Sequence, residues 1–200
     1  MGKQRDAVRT RAKILEAARE EFASHGMAGA RIEAIARRAG MSKQLLYHYF
    51  ASKEALLEAT LESKFAHRPP TSEPAQEAEK GPGALFQQRF RAAVADPVWT
   101  RLLTWEAAEH PESGRITGET VRREAIARQA AAVAERQARG ELPADLSPQM
   151  LQLAVYALAI YPIAFGQVTR MITGRSPEDP QFQAEWNAFL AEIAERLARP

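Results

Sequence analysis

Apolar residues recur at three- and four-residue spacing along nearly all of this 200-residue chain, and no run of alternating β-branched residues is bounded by turn signals. That pattern confines the chain to an all-α fold. The punctuation agrees. Gly26, Gly40, Gly140 and Gly174 each follow a periodic segment, where a left-handed residue ends a helix. Asp96-Pro97, Ser147-Pro148 and Asp179-Pro180 each set a capping side chain before a proline suited to the first helical position. The expected helices are residues 9–24, 31–39, 43–49, 53–66, 84–95, 97–110, 118–139, 148–173 and 181–198.

Charge is unevenly distributed. Residues 1–68 hold 13 Lys and Arg against 8 Asp and Glu, whereas the remainder holds 14 against 17. A basic first third on an acidic remainder suits a chain that meets a polyanion with one end. The chain has no cysteine, which excludes disulfides and thiolate metal sites. Its N-terminus, MGKQRDAVRTRAKILEAA, lacks the apolar region of a secretory signal, so a cytoplasmic location is expected.

The informative stretch is IEAIARRAGMSKQLLYHYF, residues 32–50. Ile32, Ile35, Ala36 and Ala39 form the apolar stripe of a short helix, Gly40 suits a tight turn, and Ser42 is placed to cap the next helix. This is the layout of a helix-turn-helix, whose second helix enters the major groove of DNA. On a wheel with Leu46 at 0° and Phe50 at about 40° on the core side, Gln44 and His48 fall at about 160° and 200°. Both therefore point away from the core. Gln44 can pair with adenine and Leu45 can pack on a thymine methyl. Tyr47 and Tyr49 flank this face, where they either reach phosphate or lie half-buried over the core.

Ile14-Leu15-Glu16-Ala17-Ala18, Phe22-Ala23 with Gly26, Ile35-Ala36 with Ala39-Gly40, Ser42-Lys43, Leu46-Tyr47-His48-Tyr49-Phe50 and Lys53-Glu54 together resemble the DNA-binding domain of the TetR family of transcriptional regulators. The resemblance implies that Tyr47 and Lys53 grip the DNA backbone and that Lys43, Gln44, Leu45 and His48 face bases. Ser42 and Tyr49 complete the expected set. The family usually opens its second helix with Thr or Ser; here Ala30-Arg31 stand there, so the hydroxyl is lost while backbone N–H groups and the Arg31 charge remain for a phosphate. Lys3, Arg5, Arg9, Arg11 and Lys13 form either an arm along the backbone or a solubilising tail.

Residues 1–67 are thus expected to form a three-helix DNA-binding domain with a connecting helix, 68–83 a proline-rich linker, and 84–200 a larger helical domain for effector binding and dimerisation. Residues 146–169 carry no charge, but the apolar heart is short and holds Pro162, which reads as a buried helix rather than a membrane span. One side of that helix can meet its own domain while the other needs a partner. Phe182, Trp186, Phe189, Leu190, Ile193 and Leu197 add a broad stripe to the last helix. The resemblance implies a homodimer through the last two long helices, reading a near-palindromic operator in double-stranded DNA.

A small-molecule effector is expected beside Trp99, Leu102, Leu103, Glu106, Tyr156 and Ile160. Glu106 there faces either a ligand or an Arg from the next helix. The competing reading makes the chain a helical enzyme or metal protein using Glu106 and His110 at i, i+4. His25, His48 and His67 lie in or beside the first domain, so no convergent set of titratable residues forms. No cofactor, metal site or catalytic residue is expected.

Overall fold

The computed structural model describes residues 2–66, 81–109 and 116–198. Among them are ten helices and no strand: α1 (Gly2–Gly29), α2 (Ile32–Arg38), α3 (Lys43–Tyr49), α4 (Lys53–Ala66), α5 (Gly83–Ala95), α6 (Pro97–Glu109), α7 (Glu119–Ala138), α8 (Pro148–Ala164), α9 (Gly166–Thr173) and α10 (Pro180–Ala198). Two compact units result, Met1–Arg68 with Arg101–Arg123, and Pro69–Thr100 with Glu124–Pro200. The division falls inside α6 and α7. Most of the expected 68–83 linker, together with His67 and His110, lies outside the described residues.

In the first unit α1 packs on α2 and α4, and α2 packs on α3. Ile14, Leu15, Ala17, Ala18 and Phe22 of α1 are buried at helical spacing, along with Ile32, Ile35, Leu46, Phe50, Leu56 and Leu61. Each of the Ile, Leu and Phe side chains contributes roughly 1.5–3 kcal/mol when removed from water. Together they fix which side of α3 is left outside.

α1 departs from expectation at both ends. It starts at Gly2, so Arg5, Arg9, Arg11 and Lys13 stand on an exposed helix rather than in an arm or tail; the Lys3 side chain is outside the described residues. Extending a helix from a buried turn adds a hydrogen bond per residue without a new nucleation cost, and Asp6 also pairs with Arg9 at 3.3 Å. At the other end the helix continues to Gly29 across a kink at Gly26 (φ 67°, ψ −178°).

In the second unit α5 packs against α8 and α10. Phe86 and Phe90 meet Val155, Ala159, Phe182, Leu190 and Ala194 in one core, and Val133, Leu142 and Leu151 form another. All three acid- or serine-proline pairs cap as their sequence suggests. Asp96 accepts from the Trp99 N–H (3.3 Å), Ser147 from Met150 (3.4 Å) and Asp179 from Gln181 (2.8 Å).

The expected single helix over 148–173 is broken. Pro162 is absorbed near the end of α8, the chain leaves helical geometry at Phe165, and α9 departs at 87°. Proline provides no N–H and clashes with the preceding turn. The Leu158 carbonyl, which loses its helical donor at Pro162, accepts from the Trp186 indole N–H at 3.1 Å, and the Thr169 hydroxyl donates to the Pro162 carbonyl at 2.9 Å. Gly166 suits the break because a Cβ there would come within 3.2 Å of the Pro177 ring. Among the described residues no single helix is long and apolar enough to cross a membrane; only the bent α8–α9 pair reaches that length and composition.

Gly26 generates a test. Positive φ with ψ near 180° is open essentially to glycine alone and costs other residues about 1–3 kcal/mol. A Cβ would also clash with Glu109 Oε1 and stand 3.0 Å from Trp105 Cε3. Gly26→Ala should lower unfolding free energy by at least about 1 kcal/mol in thermal or denaturant melts. Unchanged melting would show that this backbone conformation is not held.

Candidate nucleic-acid interface

The first unit presents α3 on a short, closely specified support. Ser42 is its N-cap, and its hydroxyl accepts from the Leu45 N–H at 3.2 Å. Leu46 and Phe50 are buried, whereas Gln44, Leu45, Tyr47 and His48 are exposed. Gln44 and His48 therefore stand opposite the core, as the wheel requires. Tyr49 is half-buried and meets the His48 ring edge-on at 5.9 Å. Tyr47 is the more exposed of the two tyrosines, with Lys43 Nζ 5.9 Å from its ring centroid.

The corner leading into α2 is held by three ionic side chains acting on backbone. Glu109, at the end of α6, accepts from the Met27 N–H at 2.8 Å and the Ala28 N–H at 3.1 Å. These groups restart the helix after the Gly26 kink, so the carboxylate serves as an anionic cap. Glu21 is buried and accepts from the Arg31 N–H at 3.2 Å. Lys53 donates to the carbonyls of Ala30 at 2.9 Å and Ala28 at 3.3 Å.

Two expected phosphate contacts are thus placed differently from the simplest picture. The Arg31 N–H is already taken by Glu21, leaving the exposed Arg31 guanidinium as the group available at that point. Lys53 commits two donors of its ammonium to the corner and has one more to offer.

Lys43 donates to Glu33 at 2.6 Å. That hydrogen bond and charge hold the Glu33 carboxyl below the usual carboxylate range and raise the Lys43 ammonium above the ordinary lysine value. Both residues line an open groove of about 640 Å³ with Arg37, Gly40, Met41 and Ser42. The groove lies along α2, the turn and the start of α3. Cations, an amide, an imidazole and hydroxyls on one convex helix can meet phosphates and base edges together.

The six expected effector residues are not gathered in one unit. Leu102, Leu103 and Glu106 belong to the first unit, and Trp99, Tyr156 and Ile160 to the second. Arg122 Nη1 donates to both Glu106 oxygens, at 2.6 and 2.8 Å, so the carboxylate meets an arginine of the next helix. That pairing also leaves little of Glu106 for a metal or for acid–base work, and His110 is outside the described residues. Among the described residues no three His, Cys, Asp or Glu side chains converge as metal ligands. Tyr156 donates to Gln129 Oε1, which also accepts from the buried Arg89 at 2.7 Å, while the Arg89 guanidinium lies 4.5 Å from the Tyr156 ring centroid. Ile160 packs on the main core of its unit.

Sequence reasoning passed over Glu21, Glu33, Glu109 and the Arg89–Gln129 pair. Only Glu21 carried a local signal, a carboxylate beside Phe22 on the apolar side of α1.

Residues 14–60 match the model of the family described as bacterial regulatory proteins, tetR family, and residues 84–196 match that of a tetracyclin repressor-like C-terminal domain. A curated relative, the HTH-type transcriptional repressor SCO4008 of Streptomyces coelicolor, is 34% identical over 85% of this chain and 86% of its own length. The transcriptional regulator UidR of Escherichia coli is 45% identical over 58 residues, 29% of this chain and 30% of its own. Among solved structures, the transcriptional regulator SCO4942 of Streptomyces coelicolor superposes with a TM-score of 0.70 at 27% identity, covering 94% of this chain and 97% of that one. Bacillus subtilis FadR, solved in complex with stearoyl-CoA, shares the fold with a TM-score of 0.66 at 14% identity, covering 90% and 97%.

Proposed function

The chain belongs to the tetR family of bacterial regulatory proteins, a DNA-binding transcriptional regulator, and on that premise we propose that it is a cytoplasmic homodimeric repressor released from its operator by a small molecule. The observation that carries the DNA-reading part is the exposure of Gln44, Leu45, Tyr47 and His48 on the side of α3 opposite buried Leu46 and Phe50. Gln44, Leu45 and His48 read base edges. Tyr47, Tyr49, Arg31, Ser42 and Lys53 meet the backbone, and Lys43 stands at the groove's edge. We take residues 1–67 as the reading domain, 68–83 as the linker and 84–200 as the effector and dimerisation domain, with residues 101–123 clustering with the former.

Dimerisation is supported by surface that the second unit leaves uncovered. Met150, Leu153 and Tyr161 are 63%, 62% and 49% exposed along one side of α8, with exposed Ala154 and Ala157 among them. Phe189 and Leu197 of α10 are exposed as well. A second copy covering these stripes is the economical partner, since closed two-fold pairs dominate soluble oligomers. Two reading heads then select a near-palindrome with half-sites ~34–36 Å apart or at a multiple of that spacing.

For the effector we retain a small, largely apolar molecule. Trp99, Tyr156 and Ile160 are its candidates in the second unit, and Leu102, Leu103 and Glu106 lie in the first, where Arg122 already occupies Glu106. The family's DNA-binding role does not depend on this assignment.

Selection from random duplexes should return a near-palindrome, and Gln44→Ala should relax one base-pair position in each half-site at a cost of about 1–3 kcal/mol. An unchanged preference profile would remove Gln44 from the reading face. Sedimentation should show a dimer at micromolar concentration, and Leu153→Glu should yield folded monomers that no longer favour the paired half-sites. A wild-type monomer would refute the assembly.

A further inference from the structure

Glu33 sets a negative charge beside the DNA-reading helix. It is exposed on α2, beside the start of α3, and its carboxylate lies on the groove shared by Arg37 and Lys43. A negative charge there opposes approach to a polyanion. The first turn of α2 suits an anion, but the ion pair that Glu33 makes, with side chains 52% and 61% exposed, contributes almost nothing to folding. What the pair does accomplish is local: it neutralises the Lys43 ammonium at 2.6 Å.

We propose that Glu33 is a specificity-determining residue of the DNA interface, holding the Lys43 ammonium so that this cation is withheld from sequence-independent phosphate binding. The proposal rests on α3 being the DNA-reading helix. A free lysine at the edge of the interface displaces one condensed counterion on any duplex and strengthens all sequences alike. Lys43 reaches a phosphate only by leaving its Glu33 partner, and the Glu33 carboxylate beside it repels that phosphate. Binding to arbitrary DNA is thereby weakened, while contacts made by Gln44, Leu45 and His48 to a matched site are untouched. The ratio of operator to non-operator affinity rises as a result.

The test measures binding of the full-length chain to its selected operator and to a random-sequence duplex across a salt series. Glu33→Gln should steepen the slope of log K against log salt on random duplex by ~1.8 for the dimer, about 0.9 per copy, and raise affinity there on the order of fiftyfold at 0.1 M salt. The operator-to-random ratio should fall. In a chain that also carries Lys43→Ala, Glu33→Gln should no longer steepen the slope. Two results overturn the role of Glu33: an unchanged slope in Glu33→Gln, or steepening by Glu33→Gln that survives removal of Lys43. In each of those, salt-dependent binding by the wild type keeps the DNA-reading assignment of α3 standing. A wild-type chain that binds neither duplex overturns both.

Discussion

The geometry of the DNA-reading head depends on how the chain turns between α1 and α2. Residues 26–31 place backbone donors and acceptors at a corner where helical bonding is interrupted, and such groups need partners. Glu109 takes the N–H groups of Met27 and Ala28, Glu21 takes that of Arg31, and Lys53 supplies the carbonyls of Ala28 and Ala30. Hydrogen bonds to charged partners contribute about 1.5–3 kcal/mol each, against roughly 1 for neutral ones. Five such bonds make one backbone path for this segment far more favourable than its neighbours. From there α2 begins, and the Ile32/Ile35/Ala36 stripe seats it on the core.

This arrangement explains why carboxylates occur in unexpected places. Glu109 ends α6, where the negative end of the helix dipole disfavours an anion. Glu21 lies at the core boundary, where an unpartnered charge would be strongly disfavoured. In both cases the backbone N–H groups of the corner offset the penalty. Gly26 completes the device, since it permits the kink and leaves room for the Glu109 carboxylate. The reading helix itself needs little more than the Ser42 cap and the burial of Leu46 and Phe50. Its outer face is then free to vary with the operator.

Much of this was legible in the sequence where the controlling interaction is local. Three side chains before prolines marked the starts of α6, α8 and α10, because a cap and a fixed proline φ act within one turn. The outward side of α3 followed from a seven-residue wheel. The break at Phe165 did not, since a proline in a helix either kinks or ends it, and packing of Pro177 against Gly166 took part in the outcome. The early start of α1 was hidden because an exposed helix of polar residues has no apolar period to read. Least legible were the corner contacts. Glu109 and Met27 are 82 residues apart, and nothing in either neighbourhood points to the other. The groups expected around an effector likewise showed only helical spacing, which cannot tell that Glu106 would meet Arg122.

The charged corner, and Glu109 in particular, positions the DNA-reading head. The most direct measurement is amide hydrogen exchange at Met27 and Ala28, paired with operator affinity, in wild-type protein and in Glu109→Gln. An amide in place of the carboxylate keeps the shape but loses the charge and one of the two acceptors. Protection of these amides should fall and operator binding should weaken about tenfold or more with it, the equivalent of losing one charge-assisted bond. Lost protection with operator affinity unchanged would contradict that role of the corner.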